Sequence, residues 1–237
     1  MKFNSNGKLM LTGEYLALDN ALVLTLPTKF GQSLEIKEQK GKGIISWKSY
    51  TNEHRVWFSA QFSIDKNSFR ILSSSDQKIA NTLIKVLTSA NSLSQTKLSK
   101  EFNFDITTIL GFPQNWGLGS SSTLINNIAQ WFKVSPYQLH FSVFNGSGYD
   151  VAAASANNAI TYQINNRKPI VEDRVFKPPY SNKIFFVHLN QKQNSYNEVK
   201  KYQENKNQDK VDLATSSINK ITSKILDASS LKQFEIF

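Results

Sequence analysis

The middle of the chain carries the segment Gly117-Leu118-Gly119-Ser120-Ser121-Ser122-Thr123. It follows an alternating apolar run at 101–110 and precedes a run with helical spacing at 124–132, which predicts a turn between a strand and a helix. Glycines let the backbone approach a ligand closely, and a helix start presents unpaired N–H groups and a positive dipole end. The segment therefore predicts a phosphate-binding loop, whose serine hydroxyls are also suitable ligands for Mg²⁺. The alternative is an ordinary helix N-cap after a glycine turn.

Length and composition describe a folded protein. The chain has 237 residues, of which 40% are hydrophobic and 12% aromatic. This is enough for one large domain or two small ones with a substantial buried core. A disordered chain is excluded, because such chains have too few apolar residues to form a core.

The charge balance favours anionic partners. The chain has 28 Lys and Arg against 18 Asp and Glu, a net charge of +10, which suits nucleotides, phosphorylated metabolites, nucleic acid or acidic membranes. The lysines are spread along the chain, with short clusters at 37–42 and 200–210, which disfavours a nucleic-acid groove. We expect a nucleotide and a small-molecule substrate as partners, and neither nucleic acid nor a membrane.

Residue types that are missing or scattered exclude several kinds of site. The chain has no cysteine, so disulfides, thiolate zinc sites and cysteine nucleophiles are excluded. The histidines, His54, His140 and His188, are too far apart in the sequence for metal-ligand spacing. No stretch approaches the roughly 20 apolar residues that a membrane helix needs. We expect an intracellular, cytoplasmic protein.

Three charged residues stand in segments that otherwise look buried. Lys8 and Glu14 lie in the apolar segment at 7–16, where an unpaired charge would be costly. Either they form an ion pair, or Lys8 lies beside an anionic substrate. Asp150 precedes a run of small residues at 151–156, so it is either a helix cap or a buried acid with a catalytic role.

The hydrophobic pattern of the amino-terminal part predicts strands. Residues 7–18 read as two strands around a glycine turn, and 21–26 as a buried strand. A hairpin turn is predicted at 40–43, between two further strands. Three aromatic residues are predicted to cover one face of this sheet: Trp47, Trp57 and Phe58.

Later segments predict helices, a strand and a domain boundary. The capping-box spacing of Ser74 and Gln77 predicts a helix that begins there. Residues 168–179 are polar and contain prolines, so they are predicted to be irregular and to mark a domain boundary. The apolar run at 183–189 predicts a strand.

Three segments together resemble motifs of the GHMP kinases, the superfamily of galactokinase, homoserine kinase, mevalonate kinase and phosphomevalonate kinase. Segment 7–15, Gly-Lys-Leu-Met-Leu-Thr-Gly-Glu-Tyr, is similar to the first motif in its mevalonate-pathway form. Segment 113–122 is similar to the ATP-phosphate loop. Segment 146–152, Gly-Ser-Gly-Tyr-Asp-Val-Ala, is similar to the segment with the catalytic aspartate, and is nearest to phosphomevalonate kinases. All three occur in the family's order, within residues 7–195.

The resemblance implies a role for each motif. Asp150 would accept or orient the proton of the attacking group, and Lys8 would stabilise charge on the acceptor and the transferring phosphoryl group. Phosphoryl transfer needs mainly positioning and electrostatic stabilisation. Ser121 would be the Mg²⁺ ligand. The ATP phosphates would be wrapped by Gly117, Leu118, Gly119, Ser120, Ser121 and Ser122.

The resemblance also implies an α+β fold in two domains. Residues 1–178 would form an ATP-binding domain of the ribosomal protein S5 domain 2-like fold, a mixed sheet with helices on one side. Residues 179–237 would form a partial α+β second domain.

Two departures from the family pattern bear on catalysis. In mevalonate kinases a glutamate before the aspartate motif also binds Mg²⁺, but 124–149 contains neither Asp nor Glu. The family's third glycine-rich motif should follow the last helix, yet the sequence reaches Phe237 without it. This predicts a truncated chain or a short form with impaired catalysis. Lys192 and Ser195 are weaker candidates for a substrate-side loop.

Together these features predict an ATP-dependent kinase that transfers the γ-phosphate of MgATP to a hydroxyl or phosphate of an anionic metabolite. The expected acceptor is mevalonate or phosphomevalonate. One alternative is a catalytically weak nucleotide-binding or regulatory protein on the same scaffold, or a truncated form of a kinase. Another is an RNA-binding module, which a steep salt dependence of RNA affinity would identify. The oligomeric state is open.

Overall fold

The computed structural model describes residues 1–65, 68–189 and 195–236, and it confirms the predicted α+β class. Within these residues, no helix has both the length and the hydropathy to cross a membrane. Three short 3-10 helices lie at Glu14–Asp19, Gln114–Trp116 and Ser181–Lys183. The strands are β1 (Lys2–Met10), β2 (Val23–Lys40), β3 (Ile44–Tyr50), β4 (Val56–Asp65), β5 (Ser68–Ser74), β6 (Phe102–Leu110), β7 (Ala159–Asn165) and β8 (Lys168–Arg174). The helices are α1 (Gln77–Leu93), α2 (Ser120–Phe132), α3 (Pro136–Val143), α4 (Tyr149–Ser155), α5 (Ser195–Asn205), α6 (Gln208–Asp227) and α7 (Leu231–Glu235).

The chain forms two compact units. Strand β2 contributes its first residues to unit 2 and the remainder to unit 1. The division into domains 1–178 and 179–237, which the family resemblance implies, stays a prediction. Unit 1 comprises Met1–Gly7, Lys29–Gln114 and Leu118–Asn145. Unit 2 comprises Lys8–Thr28, Asn115–Gly117 and Gly146–Phe237.

Unit 1 contains a sheet in the order β5-β4-β3-β6-β2. Strands β3 and β6 are parallel, whereas the other neighbouring pairs of this series are antiparallel. Alternate residues of the strands are buried, among them Trp47, Phe62 and Ile106. Helix α2 contacts this buried face through Trp131, whose ring centre lies 6.0 Å from that of Phe104. The core of unit 1 therefore lies between the sheet and helices α1 to α3.

The hairpin predicted at 40–43 is wrong, because β6 lies between β2 and β3. The turn residues bond to the start of β6 instead. Asn103 Oδ1 accepts hydrogen bonds from the Lys42 and Ile44 N–H groups at 2.9 and 3.0 Å. The Gly41 N–H donates to the Glu101 carbonyl at 2.8 Å. Strand β6, from later in the sequence, thus pairs with β2 where the local pattern predicted β3.

Two further expectations for unit 1 need correction. Trp47 and Phe58 are buried as predicted, but Trp57 projects from the opposite face of β4, because successive residues of a strand alternate. The N-cap of α1 is Asp76, which accepts from the Lys78 and Ile79 N–H groups, and not Ser74.

In unit 2 the first residues of β2 pair with β7, and β7 pairs with β8. Val23 and Leu24 are fully buried, which confirms a buried strand within 21–26. The strand predicted to run through Leu18 is wrong, since Glu14–Asp19 is a 3-10 helix. Gly13 adopts a φ of 105°, and its carbonyl accepts from the Leu16 N–H at 2.9 Å, which turns the chain away from an extended path.

Helix α6 is attached to the start of β2 by polar and apolar contacts. Asn219 Oδ1 accepts from the Leu22 N–H at 2.6 Å, and Thr222 Oγ1 donates to the Leu22 carbonyl at 2.8 Å. Ile225 joins Leu24 and Ala159 in a buried cluster. The helix therefore pairs both backbone groups of Leu22 while it covers apolar surface.

Two predictions for the segment after β7 are wrong. Residues 168–174 are not irregular: they form β8, which pairs with β7 along its whole length through a turn at Asn166 and Arg167. Residues 184–189 form irregular backbone after a 3-10 helix, and their side chains are largely exposed. A strand needs a pairing partner as well as an apolar pattern. Ser195 begins α5, and Lys192 lies outside the described residues.

Candidate active site

The predicted phosphate loop is held open by glycines in the left-handed region. Gly117 has a φ of 72° and Gly119 a φ of 85°. Apart from Gly117 itself and its two chain neighbours, no described residue has a heavy atom within 4 Å of the position that a Cβ would take at Gly117. The backbone conformation, and not crowding, therefore requires glycine at that position.

Helix α2 begins with its amide groups available to a ligand. Its N-cap is Gly119, which has no side chain to accept from the first-turn N–H groups. The positive dipole end and these N–H groups together favour an anion. Ser121 is exposed, whereas Ser122 is buried and donates its hydroxyl to the Gly119 carbonyl at 2.9 Å. At Ser122 the backbone N–H, and not the hydroxyl, is the group left for a phosphate.

In unit 2 the half-buried Lys8 side chain lies beside Tyr149. Its Nζ is 5.5 Å from the centre of the Tyr149 ring. Burial alone would lower the pKa of Lys8, but Tyr149, Asp150 and Glu14 outweigh it, so the pKa lies above its ordinary value of 10.5. Lys8 is thus a fixed positive charge at neutral pH.

Asp150 lies in the first turn of α4 and is half-buried. The N-cap of α4 is Gly148, with a φ of 85°, so the alternative in which Asp150 caps the helix is wrong. One carboxylate oxygen, Oδ1, accepts from the Val151 N–H at 3.0 Å. The charge of Asp150 acts on both Lys8 and Tyr149. The acid therefore belongs to the same cluster as the lysine.

The packing of α4 explains how these side chains keep their places. Val151 and the alanines at 152–154 are buried, which brings the helix close to its neighbours. The Tyr162 hydroxyl of β7 donates to the Ser147 carbonyl, just before α4. The small-residue run thus anchors the helix that carries Tyr149 and Asp150.

No protein-family model matches the chain, and no curated protein matches its sequence. Solved structures do match. A phosphomevalonate kinase from Streptococcus pneumoniae, in complex with phosphomevalonate and AMPPNP, has a TM-score of 0.64 at 16% identity, over 99% of this chain and 76% of that chain. A mevalonate kinase from Methanococcus jannaschii has a TM-score of 0.63 at 14% identity, over 99% and 74%. A galactokinase from Lactococcus lactis, in complex with galactose, has a TM-score of 0.59 at 14% identity, over 98% and 71%. The chain has the GHMP-kinase fold.

The GHMP-kinase fold confirms the resemblance that the three motifs indicated. At identities of 14–16% the likeness establishes the fold alone. Within unit 2 the structure brings Lys8, Asp150 and Glu14 together. Leu118, Gly119 and the serines of α2 belong to unit 1, whereas Gly117 is grouped with unit 2.

Tyr149 is the residue of this cluster to which the sequence assigned no role. Burial raises its pKa, and the charges of Asp150 and Glu14 raise it further against the opposing effect of Lys8. Its phenol therefore stays neutral at physiological pH and can accept from Lys8. The available signal was its position, since it is an aromatic residue between Gly146-Ser147-Gly148 and Asp150.

The residues of α2 fit a phosphate group better than they fit a metal ion. In the described part of the chain, no group of three or more His, Asp or Glu residues could hold a metal. Ser121 offers a single exposed hydroxyl oxygen. Mg²⁺ usually takes several waters and substrate phosphates and only one or two protein ligands, so Ser121 is compatible with a metal held mainly by a nucleotide.

Proposed function

We propose that this chain is an ATP-dependent small-molecule phosphotransferase. The observation that carries the proposal is the cluster of Lys8 on β1 with Tyr149 and Asp150 on α4, in a chain with the GHMP-kinase fold. A half-buried lysine beside a carboxylate matches the charge requirements of phosphoryl transfer.

We propose mevalonate or phosphomevalonate as the acceptor. Two kinds of observation support this choice. The matching structures include a phosphomevalonate kinase and mevalonate kinases. The net charge of +10 also favours an anionic acceptor. The cytoplasm, where nucleotide and acceptor would be available, is the proposed location.

In this proposal the side chains of unit 2 act on the acceptor. Asp150 accepts or orients the proton of the attacking hydroxyl or phosphate group. Lys8 attracts the anionic acceptor and stabilises negative charge as it develops, while the Tyr149 ring lies beside the ammonium group and helps to position it.

In unit 1 the start of α2 would hold the nucleotide phosphates. The N–H groups of residues 120–122 would donate to phosphate oxygens, and the Ser121 hydroxyl would be the protein ligand of Mg²⁺. When bound, MgATP supplies the transferred phosphoryl group, and the metal neutralises charge on the phosphates.

The test is ADP release from MgATP by the purified chain, with mevalonate, phosphomevalonate, homoserine and galactose as separate acceptors. We expect release that depends on one of the first two acceptors and is lost in Asp150→Asn. Release at the wild-type rate in Asp150→Asn would refute the assigned role. Release only with galactose or homoserine would refute the proposed acceptor class.

A second candidate is a nucleotide-binding protein with little turnover on the same scaffold. It is favoured by the segment 124–149, which has neither Asp nor Glu to assist in holding Mg²⁺. Where α2 faces β1 and β2, its buried polar residues are neutral, among them Asn126 and Asn127. Saturable MgATP binding without acceptor-dependent ADP release would establish this candidate over the first.

A further inference from the structure

A buried network of uncharged polar side chains lies beneath the start of α2 in unit 1. It consists of two residues from the strands and three from the helix. All five are at most 5% exposed. They are Ser5, Gln32, Thr123, Asn126 and Asn127.

Each link of the network is a hydrogen bond of ordinary length. On the β1 side, the Ser5 hydroxyl donates to Asn127 Oδ1 at 2.8 Å and accepts from Asn126 Nδ2 at 2.9 Å. On the β2 side, Asn127 Nδ2 donates to the Gln32 carbonyl at 2.9 Å. The Thr123 hydroxyl donates to Gln32 Oε1 at 2.7 Å. The helix is thus bonded to both strands through side chains.

Thr123 connects this network to the loop itself. Its hydroxyl oxygen also lies 3.0 Å from the Gly119 carbonyl and 3.0 Å from the Ser120 carbonyl. A hydroxyl has one proton to donate, and the contact with Gln32 is the shortest of the three. The bond to Gln32 therefore holds the Thr123 side chain in place, and its hydroxyl oxygen lies against the two carbonyls of the turn.

The loop gains from such support, because two of its residues are glycines. Gly117 and Gly119 have the most conformational freedom of any residue type. Apolar residues of similar volume could fill a buried space without the cost of desolvating five polar groups. The polar network carries this desolvation cost and also reaches the glycine turn. Its contribution is therefore to hold the geometry of the turn.

We propose that Thr123 and Gln32 are positioning residues for the phosphate-binding turn. Their hydrogen bond holds the Gly119 and Ser120 peptide groups in the orientation that directs the first N–H groups of α2 at a phosphate. This inference rests on the proposed function, because it assumes that the turn binds the phosphates of a nucleotide.

The test compares Thr123→Val with Thr123→Ser in the full chain, with MgADP and Mg-AMPPNP as the titrants. Valine has the shape of threonine without the hydroxyl, whereas serine keeps the hydroxyl. We expect about fivefold to tenfold weaker nucleotide binding in Thr123→Val and recovery to within about twofold of wild type in Thr123→Ser. With an acceptor present, the KM for ATP should rise while kcat at saturating ATP stays near wild type.

The matched control is Thr108→Val. Thr108 is also buried in unit 1, and its hydroxyl donates to Ser49 Oγ at 2.8 Å, between β6 and β3. Like Thr123→Val, this variant loses a threonine hydroxyl and one buried hydrogen bond. Its melting temperature should therefore fall by about as much as that of Thr123→Val, while its nucleotide affinity stays at the wild-type value. If Thr123→Val cannot be purified folded, Gln32→Met breaks the same bond from the strand side and should give the same loss.

Three results would overturn the inference. One is wild-type affinity in Thr123→Val, and another is an equal loss of affinity in Thr108→Val, which would show a general effect of stability. The third is a wild-type chain that fails to bind either nucleotide, and this alone would also refute the proposed function.

Discussion

The start of α2 in unit 1 and the Lys8 cluster in unit 2 are built from opposite kinds of chemistry. Beneath α2 the polar side chains are neutral and hydrogen-bonded to one another, as Gln32 and Thr123 show. Around Lys8 the side chains are charged and act on each other over short distances. A helix start can bind an anion with backbone dipoles alone, whereas proton transfer and charge stabilisation need full charges. The first region should therefore respond to changes in backbone geometry, and the second to changes in charge.

The largest expected effect comes from removing a charge in unit 2. Asp150→Asn and Lys8→Met should each lower acceptor-dependent ADP release by about a hundredfold or more, because a base or an electrostatic partner of the reaction is lost. Affinity for MgADP should change by less than about threefold, because the nucleotide phosphates are assigned to α2. Steady-state kinetics and calorimetric titration measure the two quantities.

The control for these charge variants is Lys78→Met, which removes an exposed lysine from the first turn of α1. It should leave both quantities unchanged. If Lys8→Met abolished nucleotide binding as strongly as turnover, the assignment of separate tasks to the two regions would be wrong.

The next effect comes from the backbone of the loop. Gly117→Ala should weaken MgADP binding by about tenfold, because a Cβ at a φ of 72° costs roughly 1–2 kcal/mol. Gly117→Asn should bind more tightly than Gly117→Ala, since asparagine tolerates the left-handed region. Nucleotide titration of both variants separates backbone strain from steric contact.

Gly43→Ala is a control for the loop, since Gly43 has a φ of 77° in the turn before β3, where an added Cβ would also lie 3.0 Å from Lys100. It should lower the melting temperature without changing nucleotide affinity. Equal affinities for Gly117→Ala and Gly117→Asn below the wild-type value would show that the added Cβ, and not the backbone conformation, is responsible.

The smallest effect concerns Tyr149, which links the charged residues through a neutral group. Tyr149→Phe keeps the ring but removes the hydroxyl group, which contributes to the raised pKa of Lys8. The rate of ADP release should fall by about threefold to tenfold, because the ammonium group keeps its charge and loses one polar neighbour. The pKa of Lys8 should fall as well, so the decline of activity at alkaline pH should begin at a lower pH.

Tyr149→Phe should also change the stability of the protein at alkaline pH. The pKa values of Lys8 and Tyr149 lie above their ordinary values of 10.5 and 10.0 in the folded protein. The stability that these groups contribute is complete below those ordinary values and is lost as the pH rises through the raised ones. Between about pH 9 and 11 the melting temperature should therefore fall less steeply with pH in Tyr149→Phe than in wild type. Parallel curves would contradict the predicted coupling.

Local patterns were enough to predict the helices at 124–132 and after Ser74, the strand at 101–110, and the glycine turn before α2. These features depend on residues close together in the chain, as at the start of α3, where the Ser135 side chain accepts from the Gln138 N–H. The motifs with Lys8, Gly117 and Asp150 were recognisable for the same reason, since each is a continuous segment.

Pairing partners were decided only by the tertiary structure. The local pattern does not determine which segments pair as strands. In the folded protein β6 lies between β2 and β3, β8 pairs with β7, and 184–189 are largely exposed. The proximity of Tyr149 to Lys8 and the bond between Thr123 and Gln32 join residues that are 141 and 91 positions apart. A sequence pattern records what a residue can bind, whereas long-range packing determines which partner it meets.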